Sequence, residues 1–266
     1  MRSVLGTPVA RAATLKSGIE RVELADGRTV LVKSGASAAE AAGLRWLRID
    51  GGPLVPEVLE FDGNLLVTEF VPHGSPGENA AAVLGRGLAA MHRAGAPAFG
   101  APPPGGPTDA WIGMAPMRNA PSPSWPQWYV TDRVLPYLRK ARLRDSAVDR
   151  VCERIDELAG PPEPPARLHG DLWSGNVLWS GDGAWLVDPA AHGGHRETDL
   201  AMLALFGCPH LSTVLAAYDE AYPLAEGWRR RVALHQLFPL LVHTVLFGGG
   251  YAEQTIAAAR AALRGT

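Results

Sequence analysis

The chain has 266 residues, a formal net charge of -2 and a pI near 6.4. That length suits one large domain or two lobes with a sizeable core. A charge so near balance argues against a nucleic-acid partner, which calls for a basic excess or stripe. Two cysteines, Cys152 and Cys208, stand far apart at no metal or disulfide spacing, the usage expected in a reducing cytoplasm.

The N-terminal stretch, 1–16, has no long apolar core of the kind a secretory signal needs. Gly18–Leu24 and Thr29–Lys33 alternate with a period of two around Asp26-Gly27, which predicts a β-hairpin. The Ala- and Leu-rich run Ser37–Arg48 predicts a helix capped by Ser37, with Glu40 three residues on. Pro56–Phe61 and Leu65–Val71 predict two further strands around Asp62-Gly63. The Pro- and Gly-rich segment 72–77 then breaks the pattern. These signals divide the chain into an N-terminal lobe, residues 1–71, and a C-terminal lobe, residues 72–266.

Beyond the break the helical period dominates. Ala80–Arg93 carries Leu84, Leu88 and Met91 on one stripe. Residues 95–126 are crowded with Pro and Gly and hold Trp111 and Trp125; a loop of that length is often functional. Trp128–Arg142 and Ser146–Leu158 read as helices, and Val177–Trp179 and Ala184–Val187 as a hairpin around Gly181-Asp182-Gly183. From Thr198 the chain is helical, with Pro209 and Pro223 as boundaries. The most apolar stretch, 234–250, is interrupted by His235, Pro239 and His243. It is too short and polar to span a bilayer and reads as a buried helix.

The chemistry concentrates in His169-Gly170-Asp171-Leu172-Trp173-Ser174-Gly175-Asn176, with Asp188 after the returning hairpin. Phosphoryl transfer from ATP needs a carboxylate to orient a hydroxyl and accept its proton, and hard oxygen ligands to hold Mg²⁺. Asp171 suits the first task, Asn176 and Asp188 the second. The spacing matches H-x-D-x-x-x-x-N of kinase catalytic loops. His169 then anchors the loop by hydrogen bonds, and Asp199 braces it from a helix start.

A kinase also needs a cation on the phosphates, fixed by a helix carboxylate. Lys33 ends a strand and Glu40 lies in the next helix, seven residues on, which is short for such a pair. Backbone at Glu69 and Val71 is placed to hold adenine. The phosphate loop is poor: Thr14–Gly18 has one glycine, at Ser17-Gly18, and no Walker A string occurs. Trp173, inside the catalytic loop, reads as a stacking wall for substrate. Trp125 either lines the same cleft or caps the helix behind it. His195 and Glu197 reach the substrate or lie in a solvated loop.

With these residues in view, the sequence resembles the fructosamine kinase (ketosamine 3-kinase) family of the protein-kinase-like, aminoglycoside-phosphotransferase-like superfamily. The string HGDLWSGN at 169–176 carries most of the likeness, and Trp173 distinguishes it from related small-molecule kinases. Val187-Asp188-Pro189-Ala190, Gly194-His195-Arg196-Glu197 and Trp111-Ile112-Gly113 extend it. The resemblance implies an α+β, bilobal kinase-like fold, with a small β-rich lobe holding one helix and a larger helical lobe. It implies ATP and Mg²⁺, with Asp171 as base, Asn176 and Asp188 on the metal, Lys33 paired with Glu40, and Trp173, His195 and Glu197 near the sugar. The implied reaction is phosphorylation of a ketosamine, free or protein-bound, that promotes deglycation. The same site also suits a kinase of another small alcohol, such as an aminoglycoside, choline or homoserine, or a silent nucleotide-binding pseudokinase. The expected setting is cytoplasmic, with neither membrane nor nucleic acid as partner; the oligomeric state stays open, a monomer included.

Overall fold

The computed structural model describes residues 3–181 and 183–265. Asp182, part of the third hairpin signal, lies outside them. A six-stranded antiparallel sheet opens the chain, in the order β1-β2-β3-β4-β6-β5. Its strands are β1 (Ser3–Val4), β2 (Thr7–Lys16), β3 (Ile19–Leu24), β4 (Thr29–Ser34), β5 (Val58–Phe61) and β6 (Leu65–Glu69). Val22, Leu24, Val30, Val32 and Val67 bury one apolar layer of this sheet. The strand β2 was not foreseen. Most of its side chains are exposed on both faces, so no alternation marks it.

Helix α1 (Ala38–Leu47) follows β4, and the Ser37 hydroxyl accepts a hydrogen bond from Glu40 N–H, as the capping pattern requires. Its buried side, with Leu44 and Leu47, packs into a cluster shared with Leu172, Leu186 and Leu200 from the helical part. Gly43 lets α1 approach closely: a Cβ there would lie 3.1 Å from the Ala191 Cβ.

The helical part begins at α2 (Glu78–Arg93). The supposed long loop after it contains a hairpin, β7 (Asp109–Ile112) and β8 (Ala115–Arg118), turned at Gly113-Met114. Ala110, Ile112, Ala115 and Met117 face the core while Trp111 and Pro116 face outward, an alternation hidden among prolines and glycines. Then come α3 (Trp125–Trp128), a π-helical turn Tyr129–Val134, α4 (Leu135–Ala141), α5 (Ser146–Glu153) and α6 (Ile155–Leu158). Strand β9 (Ala166–Leu168) leads to the catalytic-loop string, and β10 (Val177–Ser180) and β11 (Gly183–Leu186) return it. Strand β12 (His192–Gly194) pairs with β9. Four helices close the chain: α7 (Glu197–Phe206), α8 (Leu211–Ala221), α9 (Trp228–Phe247, with Pro239 inside) and α10 (Tyr251–Arg264). Among the described residues no helix is long and apolar enough to cross a membrane.

Candidate active site

The loop between β9 and β10 is held by buried polar groups. The Asp199 carboxylate, near the start of α7, accepts from His169 N–H at 2.8 Å and Gly170 N–H at 2.9 Å. His92 of α2 stands 3.2 Å from the same carboxylate and bonds Tyr218 through its other nitrogen. Burial alone would push Asp199 upward, but His92, His169 and the loop amides outweigh it and keep the carboxyl below its ordinary value. His169 spans the loop: its Nε2 lies 3.0 Å from Val187 O and its Nδ1 accepts from Asp171 N–H at 3.3 Å. Both contacts suit the neutral Nε2–H tautomer, and burial lowers the pKa of this ring. Histidine and aspartate therefore shape the turn, as the sequence suggested.

Gly170 has φ +81°, and a Cβ there would lie 2.2 Å from Ala190 O. Only glycine fits. Asn176 ends a short 3₁₀ turn, Ser174–Asn176. Its Nδ2 donates to the Asp171 carbonyl at 2.8 Å and to Asp171 Oδ2 at 3.0 Å, leaving the amide oxygen as an acceptor. Burial raises Asp171 to about 6, with the Asn176 amide opposing and Asp188 and Asp199 adding to the rise. Asp188 adopts φ +52°, a left-handed conformation unusual for a non-glycine residue.

Across the cleft, Lys33 Nζ bonds Glu40 Oε1 at 2.7 Å and Asp188 Oδ1 at 3.0 Å. The short interval is no obstacle, because β4 ends where α1 begins and Ser37 turns the first helical residues back over the strand. Burial works against the Lys33 ammonium, yet Glu40 and Asp188 more than compensate and hold its pKa above the ordinary value. For Glu40 burial dominates, so its pKa rises even with Lys33 beside it. Lys16, at the tip of the β2–β3 hairpin, lies 3.9 Å from Asp188 Oδ2. The supposed phosphate loop is this tip, a two-residue turn at Ser17-Gly18 between the paired Lys16 and Ile19, and Gly18 O accepts from Ser34 N–H of the neighbouring β4. Lys16 escaped the sequence reading because β2 did.

Lys16, Lys33, Glu40, Asp171, Trp173, Asn176 and Asp188 line one cleft of about 720 Å³, together with Trp111 and Met114. The Trp173 indole is 40% exposed. It lies over Gly175, where a Cβ would meet the ring at 2.2 Å, so glycine makes room for it. A second, apolar pocket adjoins Lys33 and Asp188, lined by Leu15, Leu31, Leu178 and Val187 and bordered by the 69–71 backbone. Glu69 N–H is already engaged by Glu57 O at 3.2 Å and Glu69 O accepts from the Thr68 hydroxyl at 3.2 Å, so Val71 N–H and the second lone pair of that carbonyl face a ligand.

Of the two readings of Trp125, the structure supports the one that places it on the helix, and His195 and Glu197 do not line the catalytic cleft, contrary to the expectation from the resemblance. Pairing of β12 with β9 carries the chain back into the helical lobe before it reaches His195 and Glu197. Trp125 starts α3, is buried and stacks on Tyr129 at 4.7 Å; its role is helix packing. His195 is 5.0 Å from Trp125 and 4.7 Å from His235, ring to ring. Trp125 and His195 border a separate cavity of about 340 Å³. Glu197 is locked to Arg231 at 2.6 Å, with His235 Nε2 3.4 Å away.

An antiparallel sheet capping a helical lobe, with acids and an amide meeting beneath a lysine–glutamate pair, is the architecture of the kinase-like phosphotransferases. Within that class the chain belongs to the fructosamine kinase family, whose profile matches residues 6–264. A Thermobifida fusca crystal structure provisionally named fructosamine-3-kinase is 50% identical, superposes with a TM-score of 0.90, and the match covers 97% of this chain and 95% of that one. A Synechocystis protein provisionally named ketoamine kinase is 36% identical over 197 residues, which is 71% of this chain and 64% of the relative. An Enterococcus faecium protein with the same provisional name is 33% identical over 236 residues, 84% of this chain and 81% of that protein.

Proposed function

We propose that this protein transfers the γ-phosphoryl group of ATP to a sugar hydroxyl of a ketosamine, such as a fructosyl or ribulosyl amine. The observation that carries the reading is the single cleft shared by Asp171, Asn176, Asp188 and the half-exposed Trp173. Adenine enters the apolar pocket, between Leu31 and Leu178, and bonds Glu69 O and Val71 N–H. Lys33, oriented by Glu40, neutralises phosphate charge, and Lys16 adds a second cation at the open side. The sugar lies against Trp173. Asp171 accepts a hydrogen bond from the attacking hydroxyl and takes its proton as the oxygen bonds to the γ-phosphorus and the bond to the leaving ADP breaks. Asn176 keeps one Asp171 oxygen aimed into the cleft.

The donor set suits Mg²⁺: the free amide oxygen of Asn176 and the carboxylate of Asp188 are hard oxygens, few enough that phosphates and water complete the shell. Mg²⁺, when bound, offsets negative charge on the phosphate oxygens. Both cysteines are free thiols, which supports a reducing, cytoplasmic setting.

The test supplies Mg·ATP with fructosyl-lysine, ribulosyl-lysine, choline or an aminoglycoside and measures ADP. Turnover should appear with the ketosamines. Asp171→Asn should lower kcat by about 10²–10⁴-fold while ATP affinity is kept. Turnover confined to choline or the aminoglycoside would redirect the substrate assignment, and undiminished turnover in Asp171→Asn would remove it as the base.

A further inference from the structure

Trp111 lines two spaces. One is the catalytic cleft; the other is a groove of about 570 Å³ on the far side of the β7–β8 hairpin. The hairpin is a firm ridge between them, because Ala110, Ile112, Ala115 and Met117 are buried in the helical core. Its outward residues are not: Trp111 is 51% exposed and Met114, at the tip, 83%. A single exposed apolar residue is ordinary, but an indole and a thioether on the divide between a catalytic cleft and a groove form a contact surface.

The groove's other wall is α4 and the turn before it. Arg118, Arg139 and Lys140 border it, against Asp109 and Asp132. The Asp132 carboxylate already accepts from the Thr131 hydroxyl at 2.7 Å. Lys140 donates to Pro116 O at 3.3 Å. Arg118 and Arg139 are exposed, and neither pairs with a carboxylate among the described residues. In a chain of net charge -2, three cations against two carboxylates leave this groove with a local positive excess.

A free ketosamine amino acid has nothing to place beyond Trp111. A modified lysine within a polypeptide does, since its chain continues on both sides of the residue held in the cleft. Resting on the ketosamine kinase reading, we propose that this groove receives the polypeptide flanking a glycated lysine, and that its basic edge selects acidic flanks. Trp111 is the ridge over which the modified side chain passes into the cleft.

The test uses three substrates: free fructosyl-lysine, a fructosyl-lysine peptide flanked by glutamates, and the same peptide flanked by lysines. The native protein should favour the acidic peptide over the basic one by about tenfold in kcat/KM, an advantage that added NaCl reduces. The double variant Arg118→Glu/Arg139→Glu should abolish or invert this preference and leave free fructosyl-lysine within about twofold of native, since neither arginine reaches the cleft. Equal rates on both peptides, or equal losses on the free compound and the acidic peptide in the variant, would overturn the groove assignment alone. Failure of the native protein on every ketosamine, the free one included, would overturn the activity beneath it and the groove with it.

Discussion

Glu197 shows how a residue can belong to a recognisable string without belonging to the cleft. Its place in Gly194-His195-Arg196-Glu197 was legible in the sequence, but its direction was not. Burial alone would raise its pKa; the His235 ring 3.4 Å away and the hydrogen bonds from Arg231 more than reverse this and hold the carboxyl at about 2. A folded pKa below the unfolded one stabilises the protein at pH values above the ordinary carboxylate pKa, and that contribution fades as pH falls toward 2. A shift of this size corresponds to about 3 kcal/mol. Glu197→Gln also leaves Arg231 buried without its counter-charge, so a loss of about 3–5 kcal/mol is expected at pH 7. Urea unfolding at pH 7, 4 and 3 checks this: the gap between native and variant should narrow as the pH drops below 4.5. A gap unchanged from pH 7 to 3 would contradict it. Asp171, Asn176 and Asp188 were legible for a different reason. Their spacing is imposed by a tight turn and a returning hairpin, and both leave marks in sequence. His195 was misjudged because chain proximity to Asp188 says nothing of which way β12 carries it; for Trp125 the sequence left cleft and helix equally open, and its burial against Tyr129 decides for the helix.

At the scale of elements, strong periodicity decided what could be read. Helices α1 and α2 and the β3–β4 hairpin announce themselves through a cap, an apolar stripe and an Asp-Gly turn. Strand β2, exposed on both faces, and the β7–β8 hairpin, short and set among prolines, do not. The catalytic loop is an element too, and its conformation hangs on Gly170. That residue combines φ +81° with a backbone oxygen 2.2 Å from where a Cβ would stand. Gly170→Ala must either flip this peptide, which breaks the paired amide bonds to Asp199, or push Ala190 away from the loop. A stability loss of roughly 2 kcal/mol or more is expected from the left-handed strain and contact. A fall in kcat of at least about tenfold should accompany it, because loop geometry sets the position of Asp171. Urea midpoints and initial rates together decide the matter. A variant with native turnover would show that the loop tolerates another path.

On the scale of the whole molecule, the two-lobe reading of the sequence did not show how closely the sheet and the helical part are joined. Leu44 and Leu47 of α1 and Leu66 of β6 share one buried cluster with Leu88, Leu172, Leu186 and Leu200 of the helical part. Sequence periodicity shows that a helix has an apolar face; it does not show which partner receives that face. Because this core crosses the boundary, neither part buries its apolar surface alone, and the chain should unfold in one cooperative transition. Trp46 lies on the sheet side and Trp179 and Trp185 on the other, so tryptophan fluorescence and far-ultraviolet circular dichroism report on both. Their melting curves should coincide. On the proposed reading Mg·ATP sits where both parts contribute, so it should shift the entire transition rather than one portion of it. At 100 times its Kd the ligand adds about 2.7 kcal/mol, equivalent to roughly 5–10 °C for a chain of this size. Lys33→Met should lose most of that shift, since the ammonium joins the sheet to Asp188 and, in the proposed complex, meets the phosphates. Two separated melting steps, with the nucleotide moving only the first, would show that the shared leucine cluster does not couple the lobes.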